Sequence, residues 1–154
     1  FSGGQRQRLL LALAIVPYPE IVFLDEPTTG LDPQARRNFW DLIRRIRAEG
    51  TTVVLTTHYM DEAQLLCDRI AIMDHGRLLE LDTPERLLDK HFEGVIVRVP
   101  AGTDDDEVME ITSTNLERTL KELLADRTNL EELRIHKPNL EDLFIKLTGT
   151  SLRT

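Results

Sequence analysis

The hydrophobic pattern at the start of the chain predicts a helix followed by a buried strand. The helix spans residues 2–16 with Ser2 as N-cap, and it is apolar on every side from Leu9 onwards, so we expect its second half to be buried. Two prolines end it. The short apolar run Ile21–Leu24 then leads into two carboxylates. Such a run is typical of a strand that is covered on both faces, as in a parallel sheet.

The next segments repeat this alternation. Asp32 before Pro33 predicts a helix start, and apolar residues at helical spacing continue to Gly50. Residues 52–57 form a β-branched strand, and a short helix follows at residues 61–66. The order strand, helix, strand predicts an α/β fold with a mainly parallel sheet for residues 1 to about 90.

The last third of the chain has a different pattern. A tight hairpin turn at residues 74–76 and a short helix from Thr83 precede it. Two alternating segments flank a polar turn at 102–106, and two amphipathic helices with a strand between them follow, the last closed by Gly149. We therefore predict an α/β domain over residues 1–93 and a small α+β carboxy-terminal domain over residues 94–154.

Composition narrows the class of protein. The 154 residues are 41% hydrophobic and 30% charged, which is typical of a globular chain, and the net charge of −8 argues against nonspecific binding to nucleic acid. A single cysteine, Cys67, forbids an internal disulfide and favours the cytosol. The longest apolar run, residues 9–16, is far shorter than the roughly 20 residues that cross a bilayer.

The segment Ser2-Gly3-Gly4-Gln5 leaves unhindered backbone N–H groups at the positive end of a helix, where phosphate can bind. By itself such a pattern more often describes a flexible loop that enters a helix. The segment is therefore a candidate anion site that needs support from the rest of the chain.

Three side chains are expected at one sheet edge. Asp25 and Glu26 end the first strand, and His58 follows the second. Asp25 suits Mg²⁺ and Glu26 suits a water that must be oriented or deprotonated, although both could simply cap nearby N–H groups. His58 can donate to a phosphoryl oxygen or be an inert loop residue. The other histidines lack zinc spacing with Cys67, which is expected to be a small core residue.

Taken together, three ordered motifs resemble the nucleotide-binding domains of ATP-binding cassette (ABC) transporters. They are Phe-Ser-Gly-Gly-Gln-Arg-Gln-Arg at residues 1–8, Ile-Val-Phe-Leu-Asp-Glu-Pro-Thr-Thr-Gly-Leu-Asp-Pro at 21–33 and Leu-Thr-Thr-His at 55–58. The resemblance covers residues 1 to about 90. It implies the carboxy-terminal part of a RecA-like P-loop NTPase domain.

The resemblance also implies roles for single residues. Ser2, Gly3, Gly4 and Gln5 match the signature motif, which in the family contacts the γ-phosphate of ATP held by the opposite subunit. Asp25 matches the Walker B aspartate at Mg²⁺, Glu26 the catalytic base, Asp32 the D-loop aspartate between subunits, and His58 the switch histidine. Phe1 stands where leucine is commoner.

One departure from the family pattern is large. The sequence contains no G-x-x-x-x-G-K-[ST], so the phosphate-cradling loop and its lysine are missing, as are the Q-loop and the adenine-stacking aromatic residue. We infer a carboxy-terminal piece of a longer ATPase, one that alone neither binds ATP tightly nor hydrolyses it. Residues 135–149 resemble the ending of ATPases that serve drug- and polysaccharide-type exporters of bacteria and archaea.

The leading functional prediction is the ATP-hydrolysing subunit of an ABC exporter, with ATP and Mg²⁺ bound in the intact parent. Its expected partners are a second ATPase subunit and an integral membrane permease, without nucleic acid, at the cytoplasmic face of the cell membrane. The alternatives are a soluble ABC-type ATPase without a permease and a noncatalytic interaction module. Because neighbouring strands are missing, we also expect this fragment to associate as a dimer or swapped oligomer.

Overall fold

The computed structural model describes residues 3–100, 108–125 and 133–149, and it divides the chain into two compact units that meet in sequence at Asp68 and Arg69. Ser2 and the acidic turn at residues 104–106 lie outside the described residues. The predicted domain boundary near residue 93 falls inside the second unit and stays a prediction. Among the described helices, none has the length and hydropathy that a bilayer crossing requires.

The first unit alternates helices with two parallel strands. Its elements are α1 (Gly3–Ile15), β1 (Ile21–Asp25), α2 (Pro33–Ala48), β2 (Thr52–Thr56) and α3 (Met60–Leu66). The strands pair in parallel, from Ile21 opposite Thr52 to Asp25 opposite Thr56. The α/β class and the parallel pairing are as predicted, although the described parallel sheet has only two strands.

Helix α2 forms where its sequence predicts it. The Asp32 carboxylate accepts a hydrogen bond from the Ala35 N–H at 2.8 Å, which caps the helix, and Pro33 occupies the first turn. Its apolar stripe is buried and supplies half of the core of this unit. The buried residues of that core are Leu11, Val22, Leu31, Phe39, Trp40, Ile43, Ile46 and Leu66.

The predicted burial of α1 and β1 is wrong in part. In the second half of α1 only Leu11 is buried and Leu13 is 61% exposed, while Val16, the residue after the helix, is 69% exposed. On β1, Val22 is buried but Phe23 is 76% exposed, so one face of the strand is covered and the other is open. A continuous apolar run shows that both faces are suited to packing, but the described chain supplies a covering layer for one of them.

Cys67 has the core role predicted for it. It is partly buried against the apolar core, and its backbone N–H donates to the Ala63 carbonyl at 3.0 Å. Burial raises the pKa of the Cys67 thiol, an effect that nearby Arg47 partly offsets. The residue is therefore a weakly reactive thiol at neutral pH.

Within its described residues, the second unit contains a hairpin, a three-stranded antiparallel sheet and three helices. Its elements are β3 (Ile70–Asp74), β4 (Arg77–Asp82), α4 (Pro84–His91), β5 (Val95–Pro100), β6 (Val108–Ser113), α5 (Leu116–Ala125), β7 (Arg134–His136) and α6 (Leu140–Thr148). The β3–β4 pair is a separate antiparallel hairpin, and the other strands are ordered β6-β5-β7. A small α+β arrangement after residue 94 is thus present within the described residues.

In two turns of this unit, the backbone conformation explains which residues occupy the turn. His75 and Gly76 both have positive φ, 46° and 72°, as a two-residue type I′ hairpin turn demands. Gly94 has φ of 89°, and a Cβ there would lie 2.0 Å from the Ser113 carbonyl oxygen, so only glycine fits. The predicted hairpin turn at residues 74–76 is confirmed.

Glu80 is held by two basic side chains of α4. Lys90 Nζ donates to both carboxylate oxygens at 2.7 and 2.8 Å, and His91 Nε2 lies 2.9 Å from Oε1. These hydrogen bonds, that from Lys90 first, lower the pKa of Glu80 from its ordinary value of 4.5. The carboxylate therefore stabilises the folded state above that ordinary value, and the stabilisation is lost as the pH falls through the lower, folded pKa.

We predict that Glu80→Gln lowers the free energy of unfolding at pH 7 relative to the unmodified protein, and that the difference between the two proteins narrows at an acidic pH below the folded pKa of Glu80. The reason is that acid protonates Glu80 and removes the same charge that the substitution removes. Urea unfolding at both pH values measures this difference. The exposed Glu93 provides a matched control, since Glu93→Gln removes one carboxylate without a described ion pair. An equal effect of both substitutions at pH 7 would contradict the assignment.

Candidate functional site

Asp25, Glu26 and His58 lie together at the carboxyl ends of β1 and β2. The Thr56 hydroxyl donates a hydrogen bond to the Asp25 carboxylate across the two strands. His58 Nδ1 lies 3.3 Å from Glu26 Oε1, and these two side chains are 39% and 50% exposed. A ligand approaching this edge of the sheet can therefore reach a carboxylate and an imidazole at once.

Glu26 has an unusual backbone conformation. Its φ of 42° lies in the left-handed region, which costs a side-chain-bearing residue roughly 1–2 kcal/mol. The Glu26 N–H donates to the Thr56 carbonyl at 3.0 Å and approaches the Thr56 hydroxyl at 3.2 Å. The Thr29 hydroxyl donates to Glu26 Oε2 at 3.2 Å. The chain thus turns sharply off the strand and is held in that turn, a feature that recurs at functional sites.

The donor set at this edge fits a magnesium ion that a phosphate group also holds. Asp25 is exposed and uses Oδ1 to accept the Thr56 hydrogen bond. Within the described residues, no cluster of three or more histidine, cysteine or acidic side chains could hold a metal by itself. Mg²⁺ is commonly bound by one or two carboxylates together with substrate phosphates and water, so a single aspartate is chemically sufficient here.

The start of α1 packs on the start of α2. A Cβ on Gly4 would lie 3.4 Å from the Ala35 Cβ, at the close limit of ordinary contact, and 3.8 Å from Leu31 Cδ2, an ordinary contact distance. Gly4 therefore lies close to the turn of chain that contains Asp32. Gly3 and Gln5 belong to the same helix, and Ser2 is outside the described residues. The predicted residues thus divide between the strand-end cluster and this helix start.

The environment of His58 was not foreseen from the sequence. The His58 and Tyr59 rings have centroids 4.2 Å apart, and the Arg36 guanidinium lies 4.0 Å from the Tyr59 ring centre. A cation stacked on the aromatic ring restrains the turn that carries His58.

Thr56, Thr29 and Glu62 are further residues that sequence reasoning missed. Thr56 could have been found from the parallel register, since it lies opposite Asp25. Glu62 is fully buried, which no local pattern indicates for a glutamate in a short helix. A cleft of about 550 Å³ opens at the other end of β2 between Arg44, Arg47 and Thr52, and the predicted site residues do not line it.

The sequence of this chain is similar to those of known proteins. A family model described as AAA domain, putative AbiEii toxin, Type IV TA system matches residues 1–60. Nod factor export ATP-binding protein I of a Rhizobium species is 35% identical over 98% of this chain and 54% of its own length. The protein of the same name from Burkholderia lata is 38% identical over 99% of this chain and 55% of its own length.

A further relative and a solved structure are also similar to this chain. The linearmycin resistance ATP-binding protein LnrL of Bacillus subtilis is 34% identical over 99% of this chain and 57% of its own length. A solved ATP-binding cassette of an ABC transporter shares the fold with a TM-score of 0.52 at 23% identity, over 56% of this chain and 34% of that one. The chain spans about half the length of the curated relatives that it matches.

The fold is therefore similar to that of an ATP-binding cassette, which is an α/β fold. The chain is similar in sequence to ATP-binding proteins, among them Nod factor export ATP-binding proteins and a linearmycin resistance ATP-binding protein. The predicted resemblance and fold class are confirmed. The roles of the individual site residues stay predictions.

Proposed function

We propose that this chain is part of the ATP-hydrolysing subunit of an ABC-type exporter, which powers a membrane permease. The observation that carries the proposal is the placement of His58 at 3.3 Å from Glu26, beside Asp25, at one edge of a parallel sheet. The names of the similar Nod factor export ATP-binding proteins support a role in export. A nucleotide would be held partly by the remainder of the parent protein, because the sequence of this chain contains no phosphate-binding lysine loop.

In the proposed reaction the chain's own residues orient water and stabilise charge. Glu26 accepts a proton from the attacking water, and its Thr29 hydrogen bond and its backbone turn keep the carboxylate in one position. His58 donates a hydrogen bond to the phosphoryl group that gains charge. Asp25 would hold Mg²⁺, which when bound neutralises phosphate charge.

The helix start serves a nucleotide held by a second subunit in this proposal. Gly4 has no positive φ and meets only ordinary contacts within the chain, so the fold itself does not require glycine there. A glycine in a helix costs about 1 kcal/mol relative to alanine. Close approach of a phosphate to the bare backbone accounts for that cost. Ser2, Gly3, Gln5 and the D-loop Asp32 belong to the same proposed subunit interface.

We predict that Gly4→Ala in the full-length protein leaves the free energy of unfolding unchanged or raises it, while it lowers ATP turnover. The added methyl fits beside Ala35 but obstructs the approach of phosphate. Chemical unfolding and steady-state ATP hydrolysis measure the two effects separately. Loss of stability together with loss of turnover would instead assign Gly4 a packing role.

The permease partnership is tested with the complete gene product. We expect it to hydrolyse ATP and to co-purify with a polytopic membrane protein from membranes of its source cells, whereas residues 1–154 alone show no turnover. Hydrolysis without a membrane partner would indicate the soluble ABC-type alternative. Absence of hydrolysis in the complete product would indicate a noncatalytic module and contradict the proposal.

A further inference from the structure

A buried carboxylate joins the segments that carry the proposed site residues. Glu62, in α3, has no solvent-exposed surface, and its Oε1 accepts two hydrogen bonds. One comes from the Thr28 hydroxyl at 2.9 Å and the other from the Trp40 indole N–H at 2.8 Å. Thr28 is also fully buried, so both partners depend on this oxygen for their hydrogen bonds.

The three hydrogen-bonding residues come from three different segments of the first unit. Thr28 lies in the loop between Glu26 and Asp32, and Trp40 lies in α2, which Asp32 caps. Glu62 lies one helical turn after His58. A single oxygen atom therefore fixes the loop behind Glu26 against the helix that follows His58.

Stability alone does not account for a glutamate at this place. Burying a carboxylate is costly, and Glu62 Oε2 has no hydrogen-bond partner within the described residues. An apolar side chain of similar volume would avoid that cost, but it could not accept from Thr28 and Trp40. What the carboxylate adds is a fixed distance between segments, which is what a reaction dependent on water placement requires.

We infer that Glu62 is a positioning residue for ATP hydrolysis, which holds the Glu26 turn and the His58 turn in register without touching substrate. This inference rests on the proposed function of Glu26 and His58. The Arg36–Tyr59 stack is a second restraint between α2 and the His58 turn. Loss of Glu62 should therefore leave the side chains of the site present but loosely placed.

The test uses the full-length protein with Glu62→Leu, which removes the acceptor but fills the space. We expect turnover at saturating ATP to fall about ten- to a hundredfold, since small displacements of catalytic groups have effects of this size. The dissociation constant for ATP should change less than about twofold, because the lost interaction acts in the transition state. Glu62→Gln should retain most of the turnover, since its amide oxygen still accepts from both donors. Gln64→Leu, on the exposed side of the same helix, is the matched control.

A second measurement separates positioning from simple stabilisation. In Glu62→Leu we expect faster amide hydrogen exchange in residues 26–31, with unchanged exchange in β5. The triple variant Thr28→Val, Trp40→Phe, Glu62→Leu removes every polar partner, so it should regain much of the free energy of unfolding. Turnover per bound ATP should stay low in that variant if Glu62 positions the site.

The outcomes distinguish the two levels of the proposal. Unchanged turnover per bound ATP in Glu62→Leu, or turnover that recovers with stability in the triple variant, overturns the inference and leaves the proposed function standing. An unmodified full-length protein that hydrolyses no ATP overturns the proposed function, and the inference falls with it. Both the inference and the proposed function are supported if Glu62→Leu has low turnover with unchanged ATP affinity and faster amide exchange confined to residues 26–31, and if Glu62→Gln retains its turnover.

Discussion

Glu26→Gln in the full-length protein is expected to lower ATP turnover by a factor of about a hundred to ten thousand, the range for loss of a general base. Glutamine keeps the size of the side chain and can still accept from the Thr29 hydroxyl, so the turn at residues 26–29 should persist. What it loses is the ability to take a proton from water. Single-turnover hydrolysis with bound ATP measures this step directly.

The same variant should accumulate the ATP-bound dimer, because binding is retained while the reaction that ends it is slowed. Light scattering with ATP present should therefore show a dimer that persists in Glu26→Gln and decays in the unmodified protein. As a control, Glu49→Gln replaces an exposed carboxylate of the same unit by a carboxamide, and it should change neither ATP hydrolysis nor the lifetime of the dimer. Unimpaired single-turnover hydrolysis in Glu26→Gln would remove Glu26 from the role of base.

The elements that were predictable from sequence are those with local signals at their ends. Helix α2 has an aspartate cap and a proline in its first turn, and α6 has an asparagine cap, a capping box and a C-terminal glycine with φ of 68°. In each case the residues that stop or start the helix act on backbone groups within four positions. Such interactions do not depend on the rest of the fold.

Burial was less predictable, because it depends on layers that are distant in sequence. The apolar half of α1 and strand β1 have the composition of a core, but in the described chain only Leu11 and Val22 among them are fully buried. Hydropathy indicates which side chains can be buried. It does not indicate which neighbouring layer buries them.

The site was predictable only in outline. Parallel pairing of β1 and β2 was sufficient to predict that Asp25, Glu26 and His58 share one edge, and the pairing is as expected. The left-handed turn at Glu26 could not be predicted, because it is a strained backbone conformation. The burial of Glu62 could not be predicted either, because its hydrogen-bond partners are 22 and 34 positions away in the sequence. The signature segment remains a prediction from resemblance, and its Ser2 lies outside the described residues.

His58→Ala in the full-length protein is expected to lower turnover by about a hundred- to a thousandfold, the effect of removing one donor to a developing charge. ATP affinity should change little, because the imidazole interacts most strongly with the group that gains charge in the transition state. The Tyr59 ring and Arg36 should stay in place, so the loss reflects the imidazole itself. A control is His75→Asn, which removes an imidazole that is 91% exposed in the hairpin turn and places there a residue that tolerates its positive φ. Equal losses in both variants, or a loss of ATP affinity that matches the loss of turnover in His58→Ala, would contradict a role for His58 in hydrolysis.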